Sequence, residues 1–291
     1  MVQVEIRDGV PWWYLSADIW VVPGSDPLGL VGTPIAGKPA FVWAHLTNHA
    51  AFAIQNVRVD FYWAVPTPQI LRPANPIGSA FADLAAVGDP GSEADVLCLT
   101  PWPVTMVNGG HECLIAEAVY PGSSVPGALA YFDAGYPEIA QKNLTVLAAS
   151  MAILPLTITV VAGSRQQKIA RLMIETGQLL DPCSLMSLGL SKDLRPAKGS
   201  VAAGLSARPS CAKGDGAVGE EKLLLEVAPG TAAAGYLTIS AADLAEGEYA
   251  LVNVLEFNGD GERPVGGCAF VVVADATLDA HHKSRRKETG K

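Results

Sequence analysis

The sequence has few cysteines, fewer basic than acidic residues and no long apolar run. Five scattered cysteines in 291 residues favour reduced, mostly buried thiols over a disulfide framework. A net charge of -9 at pH 7 argues against nucleic acid as the main partner, because phosphate binding needs a basic surface. No run of about 18 apolar residues is present, so we expect no membrane-spanning helix.

The first residues also lack the pattern of a secretory signal. Met1–Asp8 carry two acidic side chains and no apolar segment of the kind that precedes a cleavage site. Together with the odd number of cysteines, this predicts a cytoplasmic protein, or one that is released without a cleaved signal peptide.

Motifs that mark catalytic or metal sites are missing as well. The sequence has no C-x-x-C, H-E-x-x-H or G-x-S-x-G pattern. His45, His49, His111 and Cys113 form the one group that could hold a metal, but they lack the local spacing of zinc ligands. We therefore predict no metal, no cofactor and no catalytic residue, and interpret the protein as not an enzyme.

What is present is a strong β pattern, clearest in residues 57–66. Val57, Val59, Phe61 and Trp63 alternate with polar residues. Because side chains alternate between the two faces of a strand, this predicts a half-buried core strand with its polar residues on the outer face. The 29 glycines and 21 prolines supply the many turns that short strands require.

The spacing of such patterns predicts an all-β protein with two tandem Ig-like antiparallel β-sandwiches. About seven strands in the first 140 or so residues fit one sandwich. All six tryptophans lie at or before Trp102, which suggests a Trp-rich first domain over 1–148. We predict a second sandwich over 149–278, with a long flexible loop at about 189–219, and a basic disordered tail over 279–291.

Four motifs in the first domain carry a family resemblance. They are Leu15-Ser16-Ala17-Asp18-Ile19-Trp20-Val21, Tyr62-Trp63-Ala64, His111-Glu112-Cys113-Leu114-Ile115-Ala116 and the segment from Ile139 to Val146. Residues 12–146 thereby resemble a bacterial immunoglobulin-like domain related to the CARDB (cell-adhesion-related) β-sandwiches. Ala17 stands where that family usually has Pro, and Asn48-His49-Ala50 lacks the usual Gly. The resemblance implies a fold and a module type but no activity, and the second domain is only generically Ig-like.

The candidate partner-binding residues are Phe41, Trp43 and Tyr62. If Val42, Ala44 and Leu46 face the core, these aromatic side chains face outward, and exposed aromatics on a sheet mark contact surfaces. The alternative is that the Trp12–Trp20 segment or the second domain buries them. Residues 1–150 carry 13 acidic and 5 basic side chains, so we expect a partner surface with Lys or Arg at its rim.

These observations favour a non-enzymatic structural or protein–protein interaction protein, such as a subunit or docking module of a larger bacterial assembly. The expected partner is another protein or a second copy of the chain. Two alternatives stay open: a carbohydrate-binding or cell-surface adhesion module, and an accessory protein to a separately encoded enzyme.

Overall fold

The computed structural model describes residues 3–9, 12–34, 37–65, 67–104, 113–126, 131–132, 135–149, 155–163, 165–198, 201–209, 219–241 and 243–274. Over these residues the chain is nearly all β with one short helix, which confirms the predicted all-β sandwich class. Its contacts divide it into two units. Unit 1 comprises Met1–Asn143 and Asp181–Lys192, and unit 2 comprises Leu144–Leu180 and Asp193–Lys291.

The described residues of unit 1 form nine strands in two sheets. In chain order they are β1 (Val4–Glu5), β2 (Ile19–Pro23), β3 (Pro39–Asn48), β4 (Ile54–Ala64), β5 (Asn75–Leu84), β6 (Glu93–Leu97), β7 (Trp102–Pro103), β8 (Cys113–Val119) and β9 (Ile139–Lys142). Sheet A is built around β3, which pairs antiparallel with β1, β2, β6 and β7. Sheet B has the order β5-β4-β8-β9, also antiparallel.

The core of unit 1 lies between sheets A and B, and β4 crosses its centre. Val57, Val59 and Phe61 are fully buried, and Trp63 packs partly buried against the same cluster. Arg58, on the other face of the strand, is exposed. The predicted register of this strand is therefore confirmed, as the period-2 alternation of a half-buried strand requires.

Nine further strands lie in the described part of unit 2. They are β10 (Leu144–Ala148), β11 (Leu156–Val161), β12 (Lys168–Thr176), β13 (Arg195–Pro196), β14 (Ala202–Ser206), β15 (Lys222–Val227), β16 (Ala232–Ser240), β17 (Glu248–Asn258) and β18 (Pro264–Val273). Sheet C has the order β10-β18-β17-β12-β15, with β13 beside β17, and sheet D has the order β11-β16-β14. Residues of both sheets form one apolar cluster.

A buried lysine of sheet C forms an ion pair within its own sheet and a hydrogen bond to sheet D. The Nζ of Lys168 on β12 pairs with the carboxylate of Glu256 on β17 and donates to Val161 O of β11 at 3.1 Å. Burial raises the pKa of Glu256, and the ammonium group of Lys168 opposes that rise. Such a pair holds strand positions in place, and breaking it leaves an uncompensated buried charge.

The strand at residues 144–148 departs from the prediction. The predicted first domain, 1–148, includes this strand, yet β10 pairs in parallel with β18, from Leu144 opposite Ala269 to Ala148 opposite Val273. The alternation of apolar residues predicts a strand but does not name its neighbour. The contacts accordingly place the division after Asn143.

The segment predicted as a long loop at 189–219 is partly ordered into strands. Residues 195–196 form β13 and residues 202–206 form β14, which pairs antiparallel with β16. Of this predicted loop, residues 199–200 and 210–218 lie outside the described part of the chain, as does the predicted tail at 279–291.

Residues Asp181–Lys192, which we call the strap, belong to unit 1 although they lie far along the chain. The strap contains helix α1 (Pro182–Ser187), whose N-cap Asp181 accepts a hydrogen bond from Ser184 N at 2.9 Å. After the helix, Gly189 has a φ of +71°, and a Cβ there would lie 2.5 Å from Gly32 Cα. Only glycine allows both this conformation and this close backbone approach.

Lys142 at the end of β9 ties the strap to the sandwich. Its buried Nζ donates to Ile19 O at 2.7 Å, to Ser187 O at 3.1 Å and to Ser187 Oγ at 2.9 Å. One amine thus connects β9, the start of β2 and the end of α1. Burial lowers the pKa of Lys142 to about 7, because an apolar environment disfavours the ammonium form.

Candidate functional site

The outer face of sheet A carries a row of three large apolar side chains. Trp20 on β2 lies opposite Trp43 on β3, which in turn lies opposite Leu97 on β6. All three are half-buried. The alternate positions on these strands point into the core, so strand periodicity itself directs this row outward.

The two indoles form a stacked pair. The ring centroids of Trp20 and Trp43 are 5.8 Å apart, with an angle of 10° between the ring planes. Trp43 Nε1 donates to Pro27 O at 3.1 Å, which holds the ring against the loop between β2 and β3. In that loop Leu28 and Leu30 are among the most exposed apolar residues, at 76% and 90%. The result is a preformed aromatic platform beside protruding aliphatic side chains.

Acidic and histidine side chains adjoin this row on the same face. His45 lies opposite Asp95, and its Nδ1 is 2.7 Å from Asp95 Oδ1. His45 Nε2 is 3.8 Å from Glu93 Oε2. The side chains of Asp95 and Glu93 are 58% and 64% exposed, so both carboxylates face solvent. We call Trp20, Trp43, Leu97, Glu93 and Asp95 together the acidic aromatic face.

Four of the five Lys and Arg residues in 1–143 are engaged elsewhere. Residues 1–143 contain five Lys and Arg, and four of them are held by other groups: Arg7 by Asp18, Arg58 by Asp60, Arg72 by Glu117, and Lys142 in the interior. The fifth, Lys38, precedes β3 and is seven residues from His45, roughly 23 Å along an extended strand. Among the ion pairs of the described residues, the contacts of Glu93 and Asp95 are with His45.

The structure does not bring the three predicted binding residues together. Phe41 and Trp43 lie on β3 in sheet A, whereas Tyr62 lies on β4 in sheet B. Phe41 is buried at 8% exposure, and Trp43 is partly covered by Trp20. The expectation of one outward patch with Phe41, Trp43 and Tyr62 is thus corrected, because alternation fixes the face within a strand but not the sheet that receives the strand. Their part in partner binding remains a prediction.

Tyr62 belongs to a separate cluster on the outer side of sheet B. Its ring centroid is 5.4 Å from that of Phe132, and the guanidinium carbon of Arg72 lies 4.2 Å from the Phe132 ring centroid. Arg72 Nη2 also donates to Glu117 Oε1 at 2.7 Å. Burial, followed by the negative charges of Asp60 and Glu117, raises the pKa of Tyr62. These contacts within unit 1 account for the partial burial of the Tyr62 side chain.

The binding residues predicted from the sequence do not include Trp20, Leu97, Glu93 or Asp95. Trp20 alternates with Ile19 and Val21, so the pattern that selected Trp43 also indicates that Trp20 faces outward. Joining it to Trp43 and Leu97 requires the pairing register of three strands, which no local signal in this sequence supplies.

The candidate metal ligands do not converge in the described residues. His45 pairs with Asp95, and His49 Nε2 lies 2.6 Å from Glu5 Oε2. Cys113 is fully buried, and its thiol donates to Asn143 Oδ1 at 2.7 Å. His111 lies outside the described residues. Within the described part of the chain, no group of three His, Cys, Asp or Glu side chains could hold a metal ion.

The described cysteines Cys98, Cys113, Cys183 and Cys268 carry free thiols, and Cys211 lies outside the described residues. Burial raises the pKa of the Cys98 thiol, which disfavours the reactive thiolate.

Among the residues with a described conformation, no helix is long and apolar enough to cross a membrane.

Comparisons with known proteins add little to this geometry. No protein-family model and no curated protein sequence matches the chain. Among solved structures it is similar to CBD12 from CALX1.2, at 10% identity and a TM-score of 0.19, with 77% of each chain covered. It is also similar to the CupB6 tip adhesin from Pseudomonas aeruginosa, at 9% identity and a TM-score of 0.21, with 88% of this chain and 98% of that chain covered.

Red sea bream transglutaminase is a third similar structure, at 10% identity and a TM-score of 0.23. The match covers 88% of this chain but only 31% of that chain. All three TM-scores are far too low to carry an argument about function. The chain's own strand pattern establishes the all-β sandwich class, and the function has to be argued from the acidic aromatic face.

Proposed function

We propose that this protein is a non-enzymatic protein-interaction module whose acidic aromatic face binds a partner with cationic side chains. The observation that carries the proposal is the combination on one sheet face of a stacked Trp20–Trp43 pair with the solvent-facing carboxylates of Glu93 and Asp95. The CARDB-like character of residues 12–146 and a cytoplasmic location, or release without a cleaved signal, remain parts of this proposal.

The aromatic row supplies the affinity of such an interface. Trp removes a large apolar area from water and loses little rotamer freedom on binding, so it dominates many interfaces. Here the Trp43 ring is held in advance by its stack with Trp20 and by its bond to Pro27 O. Less ordering remains to be done when a partner arrives, and this favours binding.

The carboxylates supply selectivity. The carboxylates of Glu93 and Asp95 are 64% and 58% exposed, so they are available to Lys or Arg side chains of a partner, and Arg also stacks on indole rings. Exposed charge pairs are screened by salt, whereas the aromatic contact is not. We therefore expect partner affinity to fall with ionic strength to a plateau set by the aromatic row.

A photo-crosslinking experiment tests the proposal. A photoreactive phenylalanine analogue replaces Leu28, which is 76% exposed beside the tryptophan pair, and the protein is irradiated in lysate of the source organism. The matched control carries the analogue at Phe81, 65% exposed on sheet B. We expect a discrete adduct from position 28 that is absent from position 81.

The adduct must also depend on the acidic aromatic face. In a Glu93→Gln/Asp95→Asn background its yield should fall several-fold, while Asp83→Asn/Asp89→Asn, which removes the same charge elsewhere in unit 1, should leave it unchanged. Equal adducts from positions 28 and 81, or adducts that ignore the Glu93 and Asp95 changes, would place the contact surface elsewhere.

A carbohydrate partner is the second candidate, and the stacked indoles favour it. Sugar rings bind on aromatic platforms, and carboxylate and imidazole groups beside such a platform can accept hydrogen bonds from hydroxyl groups. A glycan array separates the two candidates. Binding to neutral glycans that persists in high salt and is lost in Trp43→Ala would favour the carbohydrate function.

A further inference from the structure

We infer that two copies of the chain associate through the open edge of β15, as an antiparallel strand pair centred on Leu224. This inference goes beyond the proposed function, because it involves none of the residues of the acidic aromatic face. Three features of β15 carry it: an edge without a neighbouring strand in the described residues, an exposed leucine at its centre, and charges that complement those of a second copy.

β15 is the last strand of sheet C. It pairs antiparallel with β12 on one side. Among the described residues, no strand pairs with its other side. An unpaired edge presents a row of backbone donors and acceptors to which another strand can bind. This edge is therefore a surface for strand addition.

The register with β12 shows which backbone groups of β15 point to the open edge. Ile174 N donates to Glu221 O at 3.0 Å, and hydrogen-bonded pairs recur at every second residue of an antiparallel ladder. The odd-numbered residues of β15 therefore bond to β12. The alternate residues Lys222, Leu224 and Glu226 direct their N–H and C=O groups to the open edge.

The side chains of these three residues form a self-complementary row. They lie on the outer face of sheet C and are all exposed, Leu224 at 66%, whereas Leu223 and Leu225 pack towards the core. In an antiparallel pair centred on Leu224, that residue lies opposite Leu224 of the second copy. Lys222 then lies opposite Glu226 of the second copy, and the two-fold symmetry repeats this charge pair at the other end. Opposite charges and apolar pairs in such cross-strand positions stabilise a sheet.

The charges also select this register over its neighbours. A pair centred on Lys222 would place the two Lys222 ammonium groups opposite each other, and one centred on Glu226 would do the same with two carboxylates. Like charges directly opposite each other are destabilising. The pair centred on Leu224 avoids both arrangements, so sequence and edge geometry favour the same dimer.

The small size of the contact predicts a weak dimer. β15 has six residues, and a pair of such strands buries less than the roughly 1,200 Å² of a stable interface. The same patch is used on both copies, so the contact closes at two chains. We therefore expect a dimer whose fraction rises with protein concentration.

Sedimentation velocity of the full-length protein, from micromolar to millimolar concentration, tests the inference. The average mass should rise from 30.3 kDa towards twice that value. Lys222→Glu and Glu226→Lys should each weaken the dimer about tenfold, because each places like charges opposite each other at two symmetric positions. The combined variant restores opposite charges and should return to within about threefold of the wild type.

Lys198→Glu is the matched control, since it makes the same charge change at another exposed position of unit 2. It should leave the dimer unchanged. A protein that stays monomeric at every concentration would overturn the inference. So would a dimer that ignores the changes at Lys222 and Glu226, or a combined variant that is no better than the single ones.

Disulfide trapping tests the register independently, in a background with Cys183 and Cys211 changed to Ser. Leu224→Cys places two thiols on directly opposite residues, whose Cα atoms are about 5.5 Å apart, within disulfide range. Ile169→Cys is the control, because Ile169 is 50% exposed on β12 of the same sheet. The two β12 strands of the dimer are three strand spacings apart, roughly 14 Å. We expect a covalent dimer from position 224 and none from position 169; equal trapping at both positions, or none at either, would overturn the inference.

Discussion

The buried amine of Lys142 leads to a specific prediction about stability and pH. Its Nζ is held by one carbonyl of β2 and by two oxygen atoms of Ser187, all of them uncharged. Because burial lowers the pKa of Lys142 from 10.5 to about 7, the folded protein releases this proton near pH 7. In the unfolded chain the proton is retained up to about pH 10.4.

The direction in which stability changes with pH follows from the number of protons bound by the folded and unfolded states. Between about pH 7 and 10.5 the unfolded state holds one proton more than the folded state, so the free energy of unfolding rises with pH at up to about 1.4 kcal/mol per pH unit. Over the range from pH 7.5 to 9.5 this amounts to roughly 2–3 kcal/mol. Below pH 7 the amine is charged in both states, and the cost of burying the charge is at its full size.

Urea unfolding followed by tryptophan fluorescence measures this effect in the right unit, because all six tryptophans lie at or before Trp102. Two variants serve as references. Lys142→Met is never charged at this position, and Lys142→Arg is charged throughout, so neither has a titration here between pH 7 and 9.5. Other groups titrate alike in all three proteins and cancel in the comparison.

The expected result is that the wild type gains roughly 2–3 kcal/mol relative to each variant between pH 7.5 and 9.5. The absolute stability of Lys142→Met is not the test, because that change also leaves Ile19 O and the Ser187 oxygens without their donor. Parallel pH profiles for all three proteins would refute the reasoning and show that Lys142 keeps an ordinary pKa.

Three further predictions concern the cores and the thiols. Phe61 is fully buried in unit 1, so Phe61→Ala should lower the free energy of unfolding in urea by about 3–5 kcal/mol. Phe81 in the neighbouring strand is 65% exposed, so Phe81→Ala should change the same free energy by less than about 0.5 kcal/mol. Equal effects of the two substitutions would contradict the register of β4 and β5. Lys168→Met should lower the free energy of unfolding by about 3–5 kcal/mol at pH 7, measured by circular dichroism, because the buried Glu256 loses its partner cation. That deficit should shrink as the pH falls, because burial raises the pKa of Glu256 and favours its neutral form; a deficit independent of pH would argue against the ion pair. All five cysteines should be free thiols in the unreduced, denatured protein, and an intact mass after thiol labelling that shows fewer than five modified cysteines would show that a disulfide exists.

Local sequence is enough to predict which segments form strands and which face of a strand each residue lies on. In residues 57–63 apolar and polar side chains alternate, and the buried set in β4 is the predicted one. The reason is local: a strand has a fixed period of two, so each residue's face follows from its neighbours in sequence. The same rule indicates that Trp20 and Trp43 face outward from the core.

The tertiary structure decided which strands are neighbours. The strand at residues 144–148 was predicted within the first sandwich, but it pairs with β18. The strap belongs to unit 1 although it begins about forty residues after Asn143. Its helix α1 is marked in the sequence only by the short Asp-Pro start signal. Pairing partners and registers depend on contacts between residues far apart in sequence, which periodicity does not encode.

The acidic aromatic face shows the same division. Composition and alternation identified Trp43 as an outward aromatic and the first domain as acidic. The register of β2, β3 and β6 is what places Trp20, Trp43 and Leu97 in one row, with Glu93 and Asp95 beside it. Tyr62 is separated from this row because β4 belongs to sheet B. Which face a side chain points to is set within a strand, whereas which side chains share a surface is set by the packing of the whole unit.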